Sequence, residues 1–194
     1  MKFQHTRANY AKTANLLIEH LRESLGDPST RRDWTHCNLD VLRSFTLEGL
    51  TLTHYPLKDN RKRSNLTGQF LWDHMSCTEE DVILIAESEW LSSFDEIRHD
   101  FEKLLYTRCP IKLMMCGKWK LEPAKLAARL SEYAQSCSSN YGPGEVFILY
   151  CVGWLGEEGN RNDEVFSWQV DGAVVMGKDP FKFDPIAADR PVGD

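Results

Sequence analysis

The run Val82-Ile83-Leu84-Ile85-Ala86 constrains the fold more than any other stretch of the chain, because it places apolar bulk on both parities of a strand. A strand apolar on both sides has to be covered on both sides, which is the environment of a central strand in an α/β sheet. The residues after it agree. Ser92 or Ser93 can cap a helix in which Phe94, Ile97, Phe101, Leu104 and Leu105 form one stripe, and Pro110 stops it. IKLMMC at 111–116 is then a second short buried strand, and a helix between two strands implies a crossover and parallel pairing. The unit repeats: Glu122-Pro123 starts a helix to about residue 135, with Leu126, Leu130, Tyr133 and Ala134 inward, followed by an apolar strand over 146–155.

Upstream, Leu16, Leu17, Leu21 and Leu25 recur at helical spacing before Gly26-Asp27-Pro28, which predicts a helix over 12–25 with Glu19, His20 and Glu23 on its solvated face. Residues 28–38 are polar and turn-rich. Leu39, Leu42, Phe45 and Leu47 predict a short helix or turn leading into a strand over 50–55. KDNRKRS at 58–64 reads as the basic tip of a hairpin whose second strand includes Trp72 to Met75. Downstream, 164–170 alternates as a final strand with Phe166 and Trp168 on one face, and the Pro- and Asp-rich 177–194 reads as a tail. With 194 residues, the expectation is a single α/β domain over 1–194, with a core over 12–117 and a C-terminal strand extension over 118–194.

Several function classes fall away. No apolar stretch approaches the roughly 18 to 20 residues of a membrane span, and the first residues carry no apolar segment of secretory type, so a cytoplasmic protein is expected. A net charge of −6 argues against a surface that grips nucleic acid everywhere, while leaving room for a local basic site. Six cysteines without CxxC spacing are expected to be reduced and mostly buried. The histidines show no zinc-enzyme spacing, and no phosphate-binding glycine loop or GxSxG elbow occurs.

The chemistry-bearing feature is Glu87-Ser88-Glu89. Two carboxylates two apart in a strand emerge on the same face and repel, and the cost falls if a divalent cation, a cationic side chain or a shared proton lies between them. The alternative is a solvated strand end paired with Lys or Arg. Asp73 ends the preceding apolar stretch. A tight hairpin through 77–81 is expected to leave Asp73 near the far end of its partner strand, so that a bend or a further short strand would be needed to bring it to Glu87.

The order helix, strand, strand with Asp73, strand with Glu87-x-Glu89, helix, strand resembles the PD-(D/E)XK nuclease superfamily. ESEW at 87–90, DFEKLL at 100–105 and IKLMM at 111–115 resemble more narrowly a bacterial group of this type. The resemblance covers about residues 66–117, and by element order 12–117. It implies a restriction-endonuclease-like mixed sheet flanked by helices, with an αβββαβ core and a C-terminal strand extension. It also implies a Mg²⁺-dependent nuclease hydrolysing phosphodiester bonds in DNA, with Mn²⁺ as a substitute. Asp73 and Glu87 match the metal-binding acids. Glu89 stands where the family usually has lysine and is expected to join the metal ligands, and Lys103 is expected to supply the missing cation from the following helix. Gln69 replaces a glutamate often found before the aspartate. Lys58, Arg61, Lys62 and Arg63 are candidate phosphate contacts. The other reading is a catalytically inactive member that serves as an interaction subunit, with another protein or a second copy of the chain as partner.

Overall fold

The computed structural model describes residues 2–25, 34–55, 72–90, 93–117, 122–137, 142, 144–155, 160–161, 163–171 and 173–174. Its centre is the predicted parallel unit. Strands β3 (Val82–Glu89), β4 (Ile111–Gly117) and β5 (Val146–Val152) run parallel and side by side, with β3 followed by helix α3 (Phe94–Leu105) and β4 by helix α4 (Pro123–Ser136). Every residue of β5 is buried, as are six of the seven in β4, which accounts for their apolar sequences.

Antiparallel strands finish the sheet on both sides. β1 (Thr53–Tyr55) and β2 (His74–Cys77) lie beyond β3, and β8 (Glu164–Asp171) lies beyond β5. These six strands form one mixed sheet in the order β1-β2-β3-β4-β5-β8, and the short β9 (Ala173–Val174) extends it at β8. The sheet therefore continues without a break across residue 117. One face is covered by α1 (Arg7–Ser24) and α2 (Trp34–Ser44), the other by α3 and α4, so the described residues form a three-layer α/β structure with four helices. No helix among the described residues is long and apolar enough to cross a membrane.

Local departures from the predicted elements have physical causes. α1 begins earlier than 12, because Thr6 caps it by accepting from the Asn9 N–H at 3.2 Å. Its buried stripe runs through Tyr10, Ala14, Leu17, Ile18 and Leu21, which leaves Leu16 39% exposed instead of inward. His20 is not on a solvated face: its Nε2 lies 2.9 Å from the Val41 carbonyl and 3.1 Å from Ser44 Oγ, joining α1 to α2. α2 is a full helix where polar residues concealed its first turn. Asn38, within that polar stretch, is buried and donates to Ser88 Oγ at 3.2 Å.

β1 starts at Thr53 because a turn with Gly49 at φ 73° precedes it. The apolar run expected over 146–155 breaks at Gly153, whose N–H donates to Asp163 Oδ1 at 3.0 Å. Trp154–Leu155 then forms β6, which pairs with β7 (Asn160–Arg161) in a separate ribbon. The predicted tail over 177–194 lies outside the described residues.

One polar pair at the N-terminal end of the parallel strands escaped prediction. Lys112, fully buried in β4, meets Glu145 at 2.7 Å, and Glu145 Oε1 also accepts from the Cys109 N–H at 3.2 Å. The Lys112 ammonium lies 4.7 Å from the centroid of the Phe147 ring. Burial pulls the Lys112 pKa down and Glu145 counters it, as expected of a buried ammonium held beside a carboxylate. Lys112→Met should leave Glu145 buried and unpaired and cost about 3–5 kcal/mol in urea unfolding. Adding Glu145→Gln, which keeps an acceptor for Cys109, should recover most of that loss.

Candidate active site

The site is assembled by a hairpin and the helix that follows it. Between β2 and β3, Thr78 Oγ1 accepts from the Asp81 N–H at 3.0 Å and the Glu80 N–H at 3.3 Å, closing a tight turn. The register pairs His74 with Ala86. Asp73, immediately before β2, therefore lies beside the end of β3, and its Oδ2 accepts from the Ser88 N–H at 3.0 Å. This corrects the expectation that a bend would be needed: in an antiparallel hairpin the first residue of one strand adjoins the last residues of the other.

Side-chain parity turns Ile85 and Glu87 toward α3. The Ser93 hydroxyl caps α3, accepting from the Glu96 N–H at 3.3 Å while donating to Glu96 Oε2 at 2.7 Å. From the last turn of α3, Lys103 reaches back to the sheet. Its Nζ lies 2.6 Å from Asp100 Oδ1 and 3.4 Å from Glu87 Oε2. Asp73, Glu87 and Lys103, expected from the sequence, thus come together with Asp100.

Asp100, which at i,i+3 from Lys103 reads in the sequence as half of an exposed helical ion pair, is instead largely buried beside the site. Glu89 shares the face of Glu87 but stands one row further along, half-buried and in register with Cys116. Among the described residues, no three acidic, histidine or cysteine side chains converge on a point where they could hold a metal ion. Lys58, Arg61, Lys62, Arg63 and Gln69 lie outside the described residues.

Glu87 dominates the electrostatics. Only 1% of it is exposed, and burial, reinforced by repulsion from Asp73 and Asp100, pushes its pKa up to about 8 against the pull of Lys103. Asp73 is also raised, first by burial and then by Asp100, with the Ser88 N–H and Lys103 opposing. Burial works against the charge on Lys103, yet Asp100 and Glu87 hold its pKa above the ordinary value. At neutral pH the ammonium is therefore neutralised by Asp100, and Glu87 is largely a neutral acid. Glu87 Oε1 has no hydrogen-bond partner among the described residues. A buried carboxyl oxygen left so costs about 1–3 kcal/mol.

On the opposite face, His74 is fully buried, and Ser76 Oγ lies 2.8 Å from His74 Nε2 and 2.9 Å from His54 Nδ1. Burial, with His54 and Arg43 adding to it, pushes the His74 pKa down to about 3, so this imidazole is neutral.

No protein-family model, no curated protein and no solved structure matches the chain.

The folded protein holds the Glu87 proton up to about pH 8, whereas the unfolded chain releases it near 4.5. The folded state thus binds more protons between those limits, and stability falls as pH rises through them. His74 acts with the opposite sign between about 3 and 6.5, which leaves 6.5 to 8 as the window that reports Glu87. Across it the unfolding free energy should drop by about 1–2 kcal/mol. Glu87→Gln should flatten that slope and be the more stable protein at pH 8, as measured by urea titration at several pH values.

Proposed function

We propose that the chain is a Mg²⁺-dependent nuclease of restriction-endonuclease-like type that hydrolyses phosphodiester bonds in DNA, with Mn²⁺ able to serve in place of Mg²⁺. The observation that carries this reading is the meeting of Asp73 and Glu87 at the C-terminal end of β3, with Lys103 delivered to them from the next helix. In an α/β sheet that end of the parallel strands is where ligand-binding groups gather.

The residues suit a hard divalent cation. Both carboxyl groups are held above their ordinary pKa by burial and by negative neighbours, and a buried oxygen of Glu87 lacks a partner. Asp73 and Glu87 would hold the ion, and Glu89, one row further along the same face, is the acid next in line. When bound, such an ion polarises a phosphoryl oxygen and lowers the pKa of a coordinated water. Lys103 would orient the attacking water and offset charge that develops on the phosphate. Asp100, 2.6 Å from the Lys103 ammonium, fixes its position. In this way the cation absent at Glu89 is replaced from α3, in keeping with the PD-(D/E)XK resemblance. Lys58, Arg61, Lys62 and Arg63 would supply backbone phosphate contacts on a chain whose net charge is −6.

The second reading, an inactive member of the same fold that acts as an interaction subunit, is favoured by Glu89 at the lysine position and by the lack of a three-ligand cluster among the described residues. Incubating supercoiled plasmid with the protein and Mg²⁺ or Mn²⁺ distinguishes the two. Cleavage should occur, stop on chelation, and fall at least about 100-fold in both Glu87→Gln and Lys103→Met. Intact plasmid with either metal, or equal cleavage by the variants, would overturn the nuclease reading.

A further inference from the structure

Beyond the acidic site, the same face of the sheet carries a row of side chains that starts at Glu89 and includes two cysteines that the proposed activity does not use. Register pairs Glu89 with Cys116, Cys116 with Cys151, and Cys151 with Glu164, so four neighbouring strands present Glu, Cys, Cys and Glu in line at the C-terminal end of β3, β4 and β5. Cys116 and Cys151 are each 1% exposed, and their sulfur atoms are 3.5 Å apart. Among the described residues this is the one sulfur–sulfur contact. Other thiols face oxygen: Cys109 Sγ points at the Ile111 carbonyl, Cys77 Sγ at the Thr53 carbonyl, and Cys137 Sγ contacts Ser136 Oγ.

We propose that Cys116 and Cys151 are a reversible disulfide site, oxidised in the folded protein by hydrogen peroxide or an oxidant of similar size. Three observations support it. Paired residues on adjacent strands lie about 4.8 Å apart, inside the Cα separation of about 4.4–6.8 Å that a disulfide spans. The sulfurs already touch, so closing to about 2.05 Å requires side-chain rotation and no new strand pairing. Burial of both thiols bars a bulky disulfide such as oxidised glutathione, so the oxidant has to be small.

The chemistry balances. The sulfur of one cysteine attacks a peroxide oxygen, the O–O bond breaks, and the departing hydroxide leaves as water with that thiol's proton. The second sulfur then attacks the sulfenic sulfur, the S–S bond forms as the S–O bond breaks, and the hydroxide leaves as a second water with the second proton. Two thiols and one peroxide give one disulfide and two waters. The bond would tie together the ends of β4 and β5 and close a chain segment running from 116 to 151, constraining the unfolded chain.

The test treats folded, reduced protein with hydrogen peroxide, then unfolds it in alkylating reagent and digests it for mass spectrometry. The expected product is a linked peptide pair containing Cys116 and Cys151, reversed by dithiothreitol, and an oxidised protein that melts at a higher temperature than the reduced one. Oxidised glutathione should produce the link only after unfolding. Cys116→Ala should abolish the linked pair and leave Cys151 trappable as a sulfenic acid. Because the wild-type protein alone gives the linked peptide and the melting shift, the test survives a variant that fails to fold. Recovery of both cysteines fully alkylated after peroxide, or a link that forms only in unfolded protein, would overturn the proposal.

Discussion

The carboxyl group of Glu87 is carried inside by the strand that most needs covering on both faces, and the functional reading depends on that fact. β3 has neighbours on both sides and helices above and below, so a residue near its end is dry unless the strand projects into solvent. Glu87 does not project. The helix that covers it also supplies Lys103, while the hairpin that precedes it supplies Asp73. Burial, repulsion and a nearby cation therefore arise from one local arrangement of β2, β3 and α3.

The two ends of the same sheet face make the contrast that gives Glu87 its meaning. At the N-terminal end of the parallel strands, Glu145 is matched with Lys112 at 2.7 Å and also accepts a backbone N–H. Such a pair has its counter-charge within the chain. At the C-terminal end, the cation near Glu87 lies closer to Asp100, a second acid stands alongside, and one carboxyl oxygen has no partner among the described residues. A buried acid cluster with one shared ammonium has a deficit of positive charge that a divalent cation would remove.

Much of this was legible in the sequence. The two-faced run at 82–86, the stripe from Ile97 to Leu105 and the repeated helix-strand unit fix the sheet's centre, because burial on both faces leaves a local signature in each strand. Glu87 could be named from its spacing to Glu89, and Lys103 only from what the PD-(D/E)XK resemblance implies. What escaped depends on distant partners: the first half of α2, where Asn38 is buried and bonds Ser88, and the ion pair between Lys112 and Glu145, which are 33 positions apart in the chain. Lys112 within the apolar IKLMMC was the visible trace of the second, since a lysine in a fully buried strand needs an acid. The adjacency of Asp73 and Glu87 was misjudged through hairpin geometry, although the tight turn at Thr78 already implied it. The alignment of Cys116 with Cys151 is a matter of register, which no local pattern records.

The central claim is that Asp73 and Glu87, with Lys103 beside them, would hold a divalent cation, and calorimetric titration of Mg²⁺ and Mn²⁺ into the purified protein addresses it without requiring a known substrate. The account predicts saturable binding at sub-millimolar metal by the wild-type protein and its loss in Glu87→Gln. Absence of binding to the wild-type protein, or equal binding by the two proteins, would contradict it.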